Sequence, residues 1–234
     1  MKFIGERRAL ASVTFAFYFL VYFVLAQQRM VPELSRALYG LAGVYGLAFF
    51  ALVAGYFWAR WYAVGVGLYG VITAVVGVWQ IGMEPVLIFV GGTHLAATLM
   101  LWGSSMSESY DGKTAWREKY HMDDNAVQRL GRSVIRAGVS LPFVLLYALA
   151  PKADAGSLIL SVAALVATGL GLRALVKLKT WGVLALGAAG LTLVALGSTD
   201  LASHTALALR PMLAGGLLLS AAAPFVRPML RALR

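Results

Sequence analysis

The sequence has no cysteine and is poor in charge. Its 234 residues include no Cys, which excludes disulfide scaffolds, Cys-ligated zinc, iron–sulfur clusters and thiol nucleophiles. Charged residues make up 13% of the chain and apolar residues 60%. In soluble domains about 25% of residues are charged and about 45–50% are apolar. A soluble chain of this length leaves about a quarter of its surface exposed, so it could not hide this excess. The composition predicts an integral membrane protein whose main partner is the lipid bilayer.

Eight apolar runs are long enough to cross a membrane. About 20 residues at 1.5 Å rise each span a hydrocarbon core of about 30 Å. The runs are continuously apolar and do not alternate, which favours helices over barrel strands. We therefore expect an all-α, polytopic membrane helix bundle of about eight transmembrane helices. The runs cover residues 9–27, 38–58, 62–83, 86–103, 134–150, 157–175, 181–197 and 211–225.

The basic residues lie in short clusters between these runs. A net charge of +10 could indicate nucleic acid in a soluble protein, but here it reports topology, and no nucleic-acid partner is expected. An eight-helix trace with the N-terminus inside places sixteen of the 20 Lys and Arg residues on the inner side. The positive-inside rule then predicts cytoplasmic termini. A bacterial inner (plasma) membrane fits this pattern, and so does an organellar membrane.

Two parts of the chain resemble each other weakly, as the halves of an internal repeat would. Residues 59–61, Ala-Arg-Trp, align with residues 179–181, Lys-Thr-Trp, and each begins a Gly-rich helix. This offset predicts two tandem four-helix halves of the same topology, residues 1–103 and 134–234, joined by a cytoplasmic loop, residues 104–133. A chance match between apolar helices is the alternative.

The loop 104–133 offers a candidate protein interface. Aromatic side chains amid mixed charges suit protein contact, so a cytoplasmic protein partner is one hypothesis and a solvated linker is the other. Asp123 is expected to cap a helix that continues into the fifth span. The candidate partner residues are Tyr110, Trp116, Arg117 and Tyr120.

His94 is the one ionisable residue near the middle of a predicted span. Counted from Pro85, it lies roughly 13 Å deep, where ionisable groups are functional candidates. Helical spacing predicts a polar seam between the third and fourth spans. His94 either fixes two helices by a hydrogen bond to Thr73 or a backbone carbonyl, or it handles protons or a solute. The seam comprises His94, Thr73, Gln80, Glu84 and Thr98.

A second candidate cluster lies at the predicted outer boundary. Asp200 and His204 are one helical turn apart, and Glu84 could join them if the repeat brings the halves together. Zinc sites need three or four ligands, so a solvated Asp200–His204 pair is the alternative, and no metal or cofactor is expected. The G-x-G-x-x-G letters at residues 65–70 lie within a predicted span and indicate helix packing rather than a nucleotide site.

Three functions remain open at this stage. The first is a small transporter or permeation bundle for an apolar or amphipathic solute, since few polar residues are available to line a path for a hydrated ion. The second is a membrane regulator or complex subunit that docks a cytoplasmic protein through residues 104–133. The third is a membrane-embedded lipid enzyme, although the common soluble-enzyme motifs are absent. The sequence does not indicate an oligomeric state.

Overall fold

The fold is a bundle of helices. The structure, a computed structural model, describes residues 3–29, 32–110, 118, 122–152, 154–201 and 205–232. These ranges contain nine helices that we number in chain order. They are α1 (Ile4–Gln28), α2 (Pro32–Ala54), α3 (Ala59–Ile81), α4 (Pro85–Met100), α5 (Ser104–Tyr110), α6 (Asp124–Leu149), α7 (Ala155–Val176), α8 (Trp181–Leu201) and α9 (Thr205–Ala232).

Seven of the described helices are long and apolar enough to span a membrane. The fourth predicted span is shorter than expected, because α4 has 16 residues and a length of about 24 Å. Its start is fixed by Pro85, which fits the first helical turn where its missing N–H is not needed. The chain then turns through Gly103 at φ 109°, a conformation that glycine adopts without strain. The predicted all-α, multi-pass membrane bundle is confirmed.

Helix α6 extends well beyond its predicted span, as the sequence around residue 123 suggested. The Asp123 carboxylate accepts a hydrogen bond from the Ala126 N–H at 2.6 Å, so the predicted N-cap is confirmed. Asp154 caps α7 in the same way, accepting from the Ser157 N–H at 2.7 Å. Each carboxylate satisfies an N–H without a partner inside the helix and favours the positive end of its dipole.

The long helices run up and down between two ends of the bundle. We call the end that holds the start of α1 the N-terminal end, and the other the opposite end. In the first four helices, α1 and α3 each pack against both α2 and α4. In the last four, α6 and α8 each pack against both α7 and α9. Helix α6 joins the two groups by packing against α3 and α2.

Glycines make the junction between the two groups close. A Cβ atom at Gly65 would lie 2.5 Å from the Ile135 carbonyl oxygen and 3.0 Å from the Gly138 Cα. Nearer the opposite end, α6 meets α2, where a Cβ at Gly40 would lie 2.6 Å from a Leu145 methyl carbon. Small residues at such crossings let helix backbones approach, which is how membrane helices gain packing energy. The residues of the G-x-G-x-x-G motif lie inside α3.

Two arginines hold the helix ends at the N-terminal end. Arg8 donates hydrogen bonds to the carbonyl oxygens of Leu52 at 3.0 Å and Val53 at 2.7 Å, at the end of α2. Arg7 donates to the carbonyl oxygens of Leu99 and Trp102, at the end of α4. These carbonyls lie in or just after the last turn of α2 or α4, where the helix dipole has its negative end. Two arginines near the start of α1 therefore stabilise the ends of two other helices.

Arg136 compensates for a proline in α9. In a regular helix the Ser220 carbonyl would accept from the N–H of residue 224, but Pro224 has none. Arg136 of α6 donates to that carbonyl at 2.6 Å. Close by, the Ser140 hydroxyl donates to the Ala214 carbonyl at 2.9 Å. Two polar bonds thus connect α6 to α9, and the one from Arg136 lies where the helix ladder is interrupted.

We expect Arg136→Leu to lower the free energy of unfolding by about 1–3 kcal/mol, because the Ser220 carbonyl loses its donor. In a Pro224→Ala background residue 224 regains its N–H, and the same Arg136→Leu change should cost about 1 kcal/mol less. Chemical unfolding in detergent of both single variants and the double variant gives this coupling. Arg173→Leu, at an exposed position of α7, is the control, and strictly additive effects would contradict the assignment.

Candidate functional site

A cavity of about 570 Å³ opens at the N-terminal end of the bundle, between the start of α3, the end of α4, α5 and α6. Small-molecule sites commonly have volumes of about 300–1,000 Å³. Residues of α6 on one helix face form one wall, because Asp124, Gln128, Gly131 and Ile135 follow the three- and four-residue spacing of a helix.

The cavity is apolar at depth and charged at its mouth. Trp61 and Val64 of α3 and Gly131 of α6 are buried. A Cβ at Gly131 would lie 2.8 Å from the Trp61 indole, so the glycine lets this ring lie flat against α6. Arg132 and Asp124 are exposed at the mouth. This gradient suits a molecule with one polar end and one apolar end.

Two guanidinium groups face this space. Arg60 lies in the first turn of α3 and donates to the Ser107 hydroxyl at 3.3 Å, which joins α3 to α5. Arg132 lies in the third turn of α6, on the same wall as Asp124. Sequence reasoning used both arginines only as topology signals. The helical spacing from Asp124 to Ile135 was the signal that could have placed Arg132 on a wall shared with the start of α3.

His94 lies in a second polar cluster, inside the first four helices. It is 1% exposed. Its Nδ1 lies 2.7 Å from the Val90 carbonyl oxygen, and its Nε2 lies 2.7 Å from the Tyr45 hydroxyl. A carbonyl only accepts, so Nδ1 carries the hydrogen, and in the neutral ring Nε2 accepts from Tyr45. The Tyr18 ring packs on the imidazole with centroids 4.1 Å apart. The cluster ties α4 to α2 and α1.

The partners of His94 differ from those in the predicted seam. Thr73 is exposed and donates to the Tyr69 carbonyl of its own helix at 2.9 Å. Gln80 and Glu84 are also exposed. Helix α3 instead presents Gly67, Gly70, Ala74 and Gly77 to α4, since small residues allow the closest packing. The structure therefore places Thr73, Gln80 and Glu84 apart from His94.

Thr98 lies on the same helix as His94 and is also buried. Among the described residues, its hydroxyl and that of Ser133 are buried without a hydrogen-bond partner. A Cβ at Gly67 would overlap the Thr98 hydroxyl, and one at Gly70 would overlap the His94 ring. Both side chains of α4 therefore fill space left by glycines of α3.

Tyr110, expected to be a partner contact, belongs to the bundle instead. It is 0% exposed, and its hydroxyl donates to the Leu52 carbonyl at 3.3 Å. The Arg8 guanidinium lies 5.4 Å from the ring centre. Burial raises the pKa of Tyr110, and the neighbouring charges of Arg8 and Arg60 oppose that shift. Tyr110 is buried because its ring and hydroxyl pack against the end of α2. Trp116, Arg117 and Tyr120 lie outside the described residues.

Asp200 takes part in a cluster at the opposite end. Its carboxylate accepts from the Tyr147 hydroxyl at 3.0 Å, and the Lys152 ammonium lies 3.2 Å from the centre of the Tyr147 ring. Burial lowers the pKa of Lys152, while the charges of Asp200 and Asp154 oppose the shift. His204, the predicted partner of Asp200, lies outside the described residues. The observed contacts link α6, α8 and the turn before α7.

A smaller cavity of about 260 Å³ lies at the N-terminal end of the second group of helices. Its walls are mostly apolar, including Leu130, Leu175 and Phe225, and Lys179 lies at its edge. Helix α6 contributes to both cavities, with Gly131 facing the larger one and Leu130 the smaller.

No protein-family profile, curated protein or solved structure matches this chain.

Proposed function

We propose that this multi-pass membrane protein is a carrier for an amphipathic solute, with the 570 Å³ cavity as the point of entry. The observation that carries this proposal is the polarity gradient from Arg132 and Asp124 at the mouth to Trp61 and Val64 at depth. An amphiphile has the same two parts, a polar end and an apolar end. Its polar end would meet the arginines while its apolar end stays in the bundle.

The proposed setting is a bacterial inner membrane with both termini in the cytoplasm. The charged mouth lies at the N-terminal end of the bundle, where the start of α3 and the start of α6 meet. The positive-inside rule favours a cytoplasmic position for that end. The cavity would then collect its solute from the cytoplasm or from the inner leaflet.

The packing of the two groups of four helices supports a carrier. In both groups the first and third helices pack against the second and fourth. Two halves of the same topology, related by an axis along the membrane normal, are one plan that transporters use. This support is an analogy at the level of the fold, so the cavity rather than the topology carries the proposal.

The carrier can be tested in proteoliposomes with phospholipids that bear a fluorescent NBD group. We expect the protein to bring inner-leaflet probe to the outer leaflet, where dithionite quenches it. Arg60→Gln combined with Arg132→Gln should slow this rate about tenfold or more, since a hydrogen bond to a charged group contributes about 1.5–3 kcal/mol.

Arg173→Gln is the matched control, because Arg173 is an exposed arginine near the same end outside the cavity. Thermal unfolding in detergent shows whether each variant remains folded. Equal quenching in liposomes with and without the protein, for every headgroup tried, would exclude a carrier for phospholipid-like amphiphiles.

A further inference from the structure

We infer that the smaller cavity, at the N-terminal end of the second group of helices, binds a single-chain fatty acid whose carboxylate lies at Lys179. This cavity is separate from the larger one, so the inference does not rest on the proposed function. Its support comes from the size and walls of the cavity, from an unusual backbone conformation at Leu178 and from the charge at its edge.

The smaller cavity has the size and the walls of a site for one alkyl chain. Its volume is about 260 Å³. A cavity of about 150 Å³ holds benzene, so in proportion this one holds roughly ten carbon atoms. Leu130 of α6, Leu175 of α7 and Val183 of α8 are buried in its wall. Phe225 of α9 lines it as well, so a chain in this space would meet apolar groups from four helices.

The turn between α7 and α8 holds a leucine where glycine is usual. Leu178 has φ 59°, a left-handed conformation that is unfavourable for a residue with a side chain. Its N–H donates to the Leu175 carbonyl at 2.9 Å, and the Lys179 N–H donates to the Ala174 carbonyl at 2.9 Å. These two bonds form a Schellman motif, in which the left-handed residue is most often Gly. A glycine would therefore close the same turn without strain.

The side chain of Leu178 gives a reason for this strain. It is half-buried and lines the cavity. Residues in strained backbone conformations are concentrated at ligand clamps and other functional positions. A leucine adds an apolar wall next to the cavity edge that a glycine would lack, and this wall is the contribution we assign to the strained residue.

Positive charge lies at the edge of the cavity. Lys179 and Thr180 are exposed there and line it. Lys177 is exposed in the same turn and adds to the positive potential. Asp123 follows the lining residue Met122, but its carboxylate is engaged as the N-cap of α6. This edge therefore favours an anionic end group, and a carboxylate can accept hydrogen bonds from both an ammonium and a hydroxyl group.

The test uses the full chain in phosphatidylcholine nanodiscs and a fatty acid that carries a photoreactive diazirine. We expect labelling at residues 178–183, located by mass spectrometry. Decanoate should compete for this labelling more strongly than decanol at equal concentration in the membrane. Lys179→Gln should reduce that preference about threefold or more, within the range of a solvent-accessible ion pair. Lys177→Gln, outside the lining, is the matched control and should keep most of the preference.

Variants of the apolar wall test the cavity itself. Val183→Phe enlarges a buried wall residue and should lower labelling about tenfold. Leu184→Phe makes a similar change at the neighbouring exposed position and should leave labelling unchanged. Leu178→Gly removes part of the wall but relieves the backbone strain. We expect it to lower labelling about threefold while its melting temperature stays close to that of the wild type, which a purely structural leucine would not do.

Three results would overturn the inference. The first is equal competition by decanoate and decanol in the wild type, and the second is an equal loss of preference in Lys177→Gln and Lys179→Gln. The third is the loss of fatty-acid labelling when phosphatidylglycerol replaces phosphatidylcholine in the nanodisc, which would assign the cavity to a phospholipid chain. If Val183→Phe does not fold, Leu178→Gly decides, and unchanged labelling in that variant would likewise reject the site.

Discussion

Gly65→Val is expected to disrupt the junction between the two groups of helices and to lower the free energy of unfolding by about 3 kcal/mol or more, above the usual cost of an overpacked core. The added Cβ would lie 2.5 Å from the Ile135 carbonyl oxygen and 3.0 Å from the Gly138 Cα. Both are backbone atoms, so neither can rotate away as a side chain would. Helix α6 must therefore separate from α3. Thermal unfolding in detergent and gel filtration measure the loss.

Gly43→Val is the control for this change. A Cβ at Gly43 would meet nothing within 4 Å, and Gly43 lies within the transmembrane helix α2. The chemical change is the same, so we expect a shift of less than about 0.5 kcal/mol, as at ordinary surface positions. If the two variants were equally stable, the close α3–α6 approach would not be a source of stability.

The transmembrane helices were predictable from the sequence because hydropathy alone determines which segments can enter a bilayer. The N-cap at Asp123 was predictable because capping depends on neighbouring residues. The end of α4 was not predictable, since residues 101–103 are as compatible with a span as with a turn. Helix α4 ends at Met100, and Gly103 with its positive φ then turns the chain into α5. Nothing in the hydropathy marks this turn.

The composition of the His94 cluster and of the larger cavity depends on how each helix is rotated about its own axis. The sequence determines that rotation only weakly. Thr73 was assigned to the face of α3 that packs on α4. Gly77, one turn farther along, meets α4 instead, and a Cβ there would lie 2.9 Å from a Leu87 methyl carbon. The contact of His94 with Tyr45 joins residues 49 positions apart, and spacing within one helix cannot reveal it. Spacing within one helix likewise cannot reveal that Arg60 lines a cavity, because helix α6 forms another of its walls.

His94→Ala is expected to lower the free energy of unfolding by about 3–5 kcal/mol, combining a cavity with an unpaired hydroxyl. The imidazole fills space against Gly70, and Tyr45, 0% exposed, would lose its acceptor. Tyr45→Phe should cost about 1–3 kcal/mol, because Nε2 of His94 is then buried without a donor. Ser133→Ala is the control: its hydroxyl has no partner among the described residues, so no stability should be lost.

These variants also separate the two roles that the sequence left open for His94. If His94 fixes α4 to α2, two variants should leave the rate of probe movement per folded molecule unchanged. Tyr45→Phe keeps the imidazole. His94→Gln keeps hydrogen-bonding groups but cannot titrate near neutral pH. The enclosure of the ring by Tyr18, Tyr45 and the Gly70 backbone favours this outcome. A His94→Gln variant of wild-type stability that no longer moves any probe would instead assign proton or solute handling to the imidazole. The entry cavity would then be only the first part of a path that continues to His94.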